Sequence, residues 1–207
     1  MFIRLLFEDW RSFCAISLMV IFSVCVHEYL HALTALKQGD PTAADRGHLT
    51  LSPFKQMGFI SLIMLLLIGI AWGQIPVNPE NLKTRKSRLL VIFAGVFANL
   101  CLVLLFTLGG CLTQRFAPRN LFAADMLFYG AVLNVVLFLI NLLPVPGFDG
   151  FNAVLQFIRF KTKKSREIAN AACFIMLLVI FFFMDKVIGF AEYLVTTLAK
   201  LMIRVMI

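Results

Sequence analysis

Charged side chains are scarce in this sequence. Only 14% of its 207 residues are Asp, Glu, Lys or Arg, whereas 61% are hydrophobic and 22 residues are Phe. Soluble domains have about 25% charged residues, and the mean hydropathy here is +0.91. The composition therefore excludes a soluble globular protein. It predicts an all-α integral membrane protein with little room for a soluble domain.

Paired cysteines are also missing. None of the five cysteines forms a C-x-x-C pair, and all lie in or beside apolar runs, at positions 14, 25, 101, 111 and 173. This pattern excludes a disulfide framework and a zinc site built from thiolates. There is no small-residue cleavage site after the first apolar run, so we expect that run to be retained as a helix rather than removed as a signal peptide.

Acidic residues are fewer than basic ones, 11 against 19, which gives a net charge of +8. In a soluble protein such a charge would indicate a nucleic-acid partner. In a membrane protein it indicates basic loops that face the cytoplasm and anionic lipid. We therefore expect the lipid bilayer as a partner, and no nucleic acid.

Histidine is rare, yet two of the three histidines stand in one motif, His27-Glu28-Tyr29-Leu30-His31, late in the apolar run 13–36. On a helix, residues four apart share one face, about 6 Å apart along the axis. At that spacing two imidazoles can bind one zinc ion, with the adjacent glutamate as general base. The alternative is a polar patch that faces a neighbouring helix. We interpret the third histidine, His48, as a loop residue rather than a ligand.

Four apolar runs predict membrane-spanning helices, at 12–36, 89–112, 121–143 and 168–184. The tail 187–207 either spans the membrane or lies on its surface, and residues 1–11 are typical of an amphipathic lead-in. The sequence thus predicts a polytopic helical bundle of about four to six transmembrane helices.

Glycine and proline interrupt the chain between the first two long runs. Gly39 and Pro41 end the first helix. Residues 47–53 then alternate weakly between apolar and polar, which favours a short strand or hairpin. The apolar run 58–72 is shorter than the roughly 17–25 residues that a spanning helix needs. The two prolines of 73–79 exclude a helix there and predict an extended loop.

A catalytic zinc site needs a third protein ligand, with the fourth position left to water. The run 121–143 breaks at Asn141-Leu142-Leu143-Pro144-Val145-Pro146-Gly147-Phe148-Asp149-Gly150, where two prolines and two glycines flank one carboxylate. Irregular backbone at membrane depth is tolerated only where it lines a protein or water cavity. A solvated loop is the alternative, but together with the two histidines we favour Asp149 as the third ligand.

Both halves of this site must face the same leaflet, so an even number of crossings must separate them. The runs 58–72, 89–112 and 121–143 would give three crossings. We therefore predict that the shortest of them, 58–72, is a re-entrant or half-depth segment.

Lysine and arginine are unevenly distributed among the connecting segments. Residues 37–57 and 74–88 hold seven of them, residues 144–167 hold five, and residues 113–120 hold two. The positive-inside rule then places the site toward the cytoplasm.

Taken together and in this order, these motifs resemble the site-two protease family of intramembrane zinc metalloproteases, in its compact bacterial branch. The resemblance covers roughly residues 20 to 155, and it is carried by the histidine motif, the 141–150 break, and residues 39–43, 47–53, 76–79 and 94–99. The chain departs from the family pattern at Val96 and Gly147, where proline is common, and at Gly58-Phe59, where an acidic residue and a proline are usual.

This resemblance implies that His27, His31 and Asp149 bind one zinc ion and that Glu28 is the general base. Asn141 would help to hold the substrate or the developing oxyanion. A catalytic zinc centre of this kind leaves one position open for water or substrate.

The resemblance also assigns roles to other segments. Residues 47–53 would be a membrane-embedded β-hairpin that offers an edge to an unwound substrate, and the face of Gly95 and Asn99 would pack near the site. Asn99 is an amide within a membrane segment, so on physical grounds too it needs a partner across a helix interface or at a site.

The implied function is hydrolysis of peptide bonds in or near transmembrane segments of membrane protein substrates, as in regulated intramembrane proteolysis, in a bacterial inner membrane. Residues 1–207 would form one metalloprotease domain, with a core at 12–155 and C-terminal helices at 156–207, and no stretch that could hold a regulatory domain. Two alternatives stay open: a relative that binds membrane segments without cutting them, and a zinc transporter. Whether the chain forms a homo-oligomer is also open.

Overall fold

All the regular secondary structure of the described residues is helical. The computed structural model describes residues 2–158 and 162–206. Within them the helices are α1 (Arg4–Glu8), α2 (Trp10–Lys37), α3 (Thr42–Asp45), α4 (Pro53–Gln56), α5 (Gly58–Ile68), α6 (Arg85–Phe116), α7 (Leu121–Asn141), α8 (Asp149–Val154), α9 (Lys163–Phe182) and α10 (Met184–Met206). The basic stretch noted at 144–167 includes residues 159–161, which lie outside the described residues.

Three of these helices are long and apolar enough to cross a membrane, namely α2, α6 and α7 with 28, 32 and 21 residues. A fourth span is formed if α9 and α10 count as one, although they are bent by 66° at the break between them. The all-α membrane fold is therefore confirmed, and the number of spans lies at or below the lower end of the predicted four to six.

Polar side chains set where the long helices begin. The Asp9 carboxylate accepts a hydrogen bond from the Ser12 amide at the start of α2, and the Thr84 hydroxyl accepts one from the Ser87 amide at the start of α6. These caps satisfy amides that would otherwise lack a partner in the first helical turn. Gly39, with φ of 97°, allows the chain to turn away after α2.

The apolar core lies on both sides of α6 and α7, which are joined by residues 117–120 and pack against each other. One cluster joins these two helices to α10 and contains Leu102, Val103, Phe106, Ala131, Val135, Ala191 and Val195. A second joins α2 to α5 and contains Val20, Val24, Cys25, Met57 and Leu65. The α6–α7 pair is thus the centre of the bundle, flanked by α2 and α10.

The hairpin expected at 47–53 is not formed, since the structure assigns no strand to any of the residues it describes. The carbonyls of His48 and Thr50 instead accept hydrogen bonds from the side-chain amide of Gln56, which is completely buried. Because this amide takes the place of a partner strand, the segment remains irregular, and Pro53 then begins α4.

The short apolar run contains α5, whose 11 residues end at Gly69 with φ of 82°. At 1.5 Å per residue this helix is about 16 Å long, roughly half of the hydrocarbon core. Its length agrees with the expectation that the run 58–72 does not cross, and a re-entrant path stays a prediction. Two spanning helices, α6 and α7, then separate the two halves of the site.

Candidate metal centre

Two imidazoles meet on one face of α2. His27 and His31 are both buried, and their Nε2 atoms lie 3.0 Å apart. The i, i+4 spacing of a helix places them side by side, as the sequence predicts.

The third group comes from the first residue of α8. Asp149 follows the irregular segment 142–148, and its Oδ2 atom lies 3.2 Å from the Nε2 atom of each histidine. The three ligand atoms lie within 4.8 Å of one another. Among the described residues, these three form the group of His, Cys, Asp or Glu side chains that could hold a metal ion. The structure thus brings together the three residues that the sequence selects.

A close backbone contact positions this carboxylate. A Cβ atom at Gly150 would overlap the carbonyl of Leu142 and lie 2.6 Å from the carbonyl oxygen of Leu143. Only glycine allows the start of α8 to approach the end of α7 so closely. Val145, which is 2% exposed, anchors the segment between them.

A hydrogen bond at the Nδ1 atom of each imidazole fixes the tautomer of the ring. His27 Nδ1 lies 2.7 Å from the Asn99 side-chain oxygen, and His31 Nδ1 lies 2.7 Å from the carbonyl oxygen of Val91. Both partners are acceptors, so both Nδ1 atoms carry the proton and donate it. Each Nε2 atom is therefore left with an unshared electron pair.

This arrangement fits a metal cation. Two nitrogen lone pairs 3.0 Å apart repel each other, and the Asp149 Oδ2 atom beside them is buried without a hydrogen-bond donor. A cation bound by all three atoms relieves both conditions. Two imidazole nitrogens and one carboxylate oxygen are also a ligand set typical of catalytic zinc.

Gly95 provides the space beside the two nitrogens. A Cβ atom at residue 95 would overlap the Nε2 atoms of both His31 and His27 and would lie 2.6 Å from His27 Cε1. The face of Gly95 and Asn99 therefore lies directly against the site, as the family resemblance implies.

The Asn99 amide continues into a buried chain of hydrogen bonds. Its nitrogen donates to the Asn134 side-chain oxygen over 3.0 Å, and Asn134 donates in turn to the Ser23 hydroxyl and the Gly130 carbonyl, each over 2.8 Å. Asn99, Asn134 and Ser23 are all fully buried. Three spanning helices are thus joined by polar contacts that orient His27.

Glu28 lies beside the histidines and lines the same cavity. The segment after α5 covers it, because a Cβ atom at Gly73 would lie 2.5 Å from Glu28 Oε1. Glu28 is 8% exposed and has the backbone of Gly73 on one side. This position, next to the metal ligands and inside a cavity, suits a general base.

The cavity has a volume of about 790 Å³ and is lined mainly by apolar side chains, among them Val24, Trp72, Ile140 and Phe148. Asn141 also lines it and donates a hydrogen bond to the Leu137 carbonyl over 3.0 Å. The amide has a second N–H, so contact with a substrate stays a prediction for this residue.

Two polar residues matter here that sequence reasoning did not select. Ser23 ends the hydrogen-bond chain, and its i, i+4, i+8 register with His27 and His31 is the signal that could have identified it. His48, by contrast, lies outside the metal-ligand group, as we interpreted it.

Asp40 is the second such residue. Its fully buried carboxylate accepts hydrogen bonds from the Thr42 amide and hydroxyl, from the Asn78 amide over 2.7 Å, and from the Asn81 side chain over 2.8 Å. It ties the end of α2 to the loop beside the cavity. The signal in the sequence is an Asp followed two residues later by Thr, a local turn motif.

Comparison with known proteins gives a consistent result. The profile of peptidase family M50 matches residues 117–183. The Bacillus subtilis protein named "Putative zinc metalloprotease YwhC" is 35% identical over 169 residues, which are 78% of this chain and 77% of that protein. No solved structure is significantly similar to the chain.

Two mycobacterial proteins named Rip2, with the same description, are also similar. The Mycolicibacterium smegmatis protein is 32% identical over 182 residues, 82% of this chain and 68% of its own length. The Mycobacterium tuberculosis protein is 33% identical over 166 residues, and the matched part is 77% of this chain but 63% of that relative.

Proposed function

The chain belongs to peptidase family M50 and is a zinc metalloprotease, and we propose that it hydrolyses peptide bonds in or near the transmembrane segments of membrane proteins. One observation carries this proposal. Two imidazole lone pairs of α2, a helix long enough to span the membrane, converge with a carboxylate oxygen of α8 beside Glu28.

In this proposal His27, His31 and Asp149 hold the zinc ion. Bound zinc supplies Lewis acidity, which polarises a carbonyl group and makes a water molecule more acidic. Hydrogen bonds from each Nδ1 to Asn99 and to Val91 keep the rings oriented and raise their strength as ligands.

Glu28 moves the proton. Its carboxylate accepts a proton from the attacking water and later donates it to the nitrogen of the leaving amine. Glu28 is buried, and its reduced contact with water strengthens the electrostatic interactions of the carboxylate. Asn141 would use its second N–H to hold the substrate or the developing oxyanion.

The apolar cavity determines the substrate class that we propose, a membrane-spanning segment. A substrate helix must unwind before it is cut, because its carbonyls are otherwise engaged in helical hydrogen bonds. Because no hairpin forms at 47–53, the extended stretch 73–79 is the better candidate for a segment that clamps the unwound chain. Cleavage of this kind would take part in regulated intramembrane proteolysis.

We further propose that the site faces the cytoplasm of a bacterial cell and that the protein lies in its inner membrane. The basic segment 37–57 follows the end of α2 that carries the histidines, and 74–88 leads into α6, so both would share one membrane side, whereas residues 113–120, around the end of α6, would lie on the other. The positive-inside rule supports this orientation, and it assigns the net charge of +8 to the lipid surface rather than to nucleic acid.

Protease protection of a tag inserted after Trp72 tests this topology. We expect protection in right-side-out vesicles, because α5 is too short to carry the tag across. Digestion of the tag from the outer face would overturn the half-depth assignment of 58–72.

The function itself is tested with the purified full chain in detergent and a panel of single-span substrates. We expect one zinc per chain and cleavage that is abolished both by a zinc chelator and by Glu28→Gln. The Glu28→Gln variant should retain its zinc, which separates loss of the base from loss of the metal.

The two alternatives predict other outcomes. A wild-type protein that holds zinc and binds the substrates but cuts none of them would be a binding-only relative. Zinc flux into liposomes that persists in Glu28→Gln would indicate a transporter.

A further inference from the structure

A single arginine faces the cavity of the metal centre. Arg88, in the first turn of α6, lines the cavity, and among the described residues that line it no other is Lys or Arg. The remaining ionisable groups of the lining are Glu28, Asp149 and the two histidines.

One nitrogen of this side chain is fixed by the protein. Arg88 Nε donates to the carbonyl oxygen of Leu82 over 3.0 Å, and Leu82 is buried at 2% exposure. Across residues 2–158 and 162–206, no Asp or Glu forms an ion pair with Arg88. A guanidinium has five donors in a rigid fork. The Nε end of the guanidinium is therefore anchored, while its terminal nitrogens have no carboxylate partner among the described residues.

The other cations of the same basic cluster have different positions. Arg85 is exposed, with its guanidinium over the Phe157 ring at 5.0 Å. Lys83 and Lys86 are exposed as well. Only one member of the cluster is placed to act on a molecule in the cavity, and the other three suit a lipid surface.

The helix gives the distance of this arginine from the metal centre. Val91, which binds His31, lies three residues further along α6, and Gly95, which abuts both Nε2 atoms, lies seven further along. At 1.5 Å per residue, the backbone of Arg88 therefore lies about 10 Å along the α6 axis from Gly95, which is level with the ligand nitrogens. An extended peptide rises about 3.3 Å per residue, so this distance corresponds to about three substrate residues.

We propose that Arg88 is a specificity residue that binds a carboxylate of the substrate about three residues from the scissile bond. The carboxylate is either an Asp or Glu side chain or the free end of a chain that another protease has already cut. Both present two oxygens in the geometry that the arginine fork binds in a bidentate manner. This assignment rests on the proposed function, because it describes the substrate of the same site.

The surroundings of Arg88 favour a measurable effect. The cavity wall is largely apolar, so a carboxylate bound there loses part of its hydration and pairs with a charge that is only partly screened. Hydrogen bonds to charged groups of this kind correspond to about a tenfold or larger change in affinity.

Peptide binding to the full chain carrying Glu28→Gln, which prevents turnover, provides the test. The probes are synthetic single-span peptides of about 20 apolar residues, with Asp, Asn or Lys scanned through the positions flanking the centre. A second pair ends at the same position, either as a free carboxylate or as an amide. Affinities are measured by fluorescence anisotropy in detergent.

We expect Asp, or the free carboxylate, to bind about tenfold more tightly than its neutral counterpart at one position of the scan. Arg88→Gln should remove that preference, and Arg88→Glu should transfer it to the Lys peptide. Arg88→Lys should keep part of it, since the charge remains although the bond to Leu82 is lost. Arg85→Gln is the matched control, with the same loss of charge outside the cavity, and it should bind as the parent does.

Equal binding of the Asp, Asn and Lys peptides by the protein with Arg88 would overturn the assignment without any variant. A preference that persists in Arg88→Gln would overturn it as well. Whichever arm shows the preference identifies the source of the carboxylate as side chain or chain end.

Cleavage of the same peptides by the wild-type chain is a separate readout. Cleavage without charge preference would remove the role of Arg88 and keep the proposed function. Preferential binding without cleavage would support the role of Arg88 and contradict the proposed cleavage of transmembrane segments.

Discussion

The α6–α7 pair packs against α2 on one side and against α10 on the other, and the two interfaces differ in chemistry. Toward α2 the buried contacts include hydrogen bonds through Asn99, Asn134 and Ser23 beside apolar packing. Toward α10 they are mainly apolar, with Ala191 fully buried and Val195 3% exposed, and the one hydrogen bond among the described residues there is the weak 3.9 Å contact from the Cys111 thiol to the Ala199 carbonyl. The metal centre lies on the polar side.

This difference has a physical consequence in a membrane. Apolar side chains lose little when lipid replaces a neighbouring helix, because lipid tails are equally apolar. A buried amide has no substitute partner in hydrocarbon. The polar interface therefore fixes how α2, α6 and α7 sit around the metal, whereas the apolar interface adds packing without setting the position of the ligands.

Among changes at the polar α2 interface, Gly95→Ala should reduce zinc binding the most. The new methyl group would occupy the space beside both Nε2 atoms, so we expect zinc binding and proteolysis to fall below detection. Metal content after dialysis, measured by mass spectrometry, checks this.

Gly109→Ala is the matched control on the same helix. Its Cβ atom would lie 3.5 Å from Leu127, an ordinary contact, and the variant should keep its zinc. Full zinc occupancy in Gly95→Ala would show that the cation is held elsewhere.

A milder change on the same side is Asn99→Leu. It removes the acceptor of the His27 Nδ1 proton and leaves the Asn134 oxygen without its donor. Loss of such an outer partner typically costs 10–100-fold in metal affinity, and we expect a decrease in that range in competition with a chelator.

The conservative variant Asn99→Asp distinguishes orientation from packing. A carboxylate still accepts the proton of His27, so zinc affinity should recover at least to within about tenfold of wild type. Equal weakening in both variants would mean that Asn99 acts through packing alone.

Much of the metal centre follows from the sequence because its ligands obey local rules. The helical register of His27 and His31 and the break before Asp149 require no knowledge of the tertiary structure. The membrane cost of an amide likewise predicted a partner for Asn99.

What the sequence could not supply depends on contacts between distant segments. The expected hairpin at 47–53 was wrong because the Gln56 amide, a side chain with no periodic signal, satisfies the carbonyls. Hydropathy also does not reveal the 66° bend between α9 and α10, which decides whether the described residues form three or four candidate spans. The different positions of Arg85 and Arg88 within one basic cluster are also a matter of tertiary packing.

A smaller effect, limited to local stability, is expected after the end of α2, where Asp40 holds the loop at 78–81. Burial raises the pKa of this carboxyl, but hydrogen bonds from Thr42, Asn81 and the Asn78 amide outweigh burial and bring the pKa below its usual value. Its contribution to stability is therefore present above the unfolded pKa of about 4 and is lost as the pH falls through the folded pKa.

Asp40→Asn replaces an acceptor with a donor and should cost about 1–3 kcal/mol locally. We expect faster hydrogen exchange at the amides of Asn78 and Asn81, with zinc affinity unchanged. Wild type should approach the exchange rates of Asp40→Asn only in acid. Identical protection in both proteins at neutral pH would show that the carboxylate does not hold the loop.

The smallest effect on the metal centre is expected from the apolar α10 interface. There Val195→Ala removes two methyl groups that pack against α6 and α7. Such a deletion costs about 1–3 kcal/mol of unfolding free energy in a closed core, and lipid or detergent can lower this cost by filling part of the space. Thermal unfolding in detergent should therefore shift slightly, while chelator competition and cleavage stay as in wild type. If Val195→Ala weakened zinc binding as much as Asn99→Leu, the α10 interface would also set the ligand geometry, and the contrast between the two sides of the α6–α7 pair would not hold.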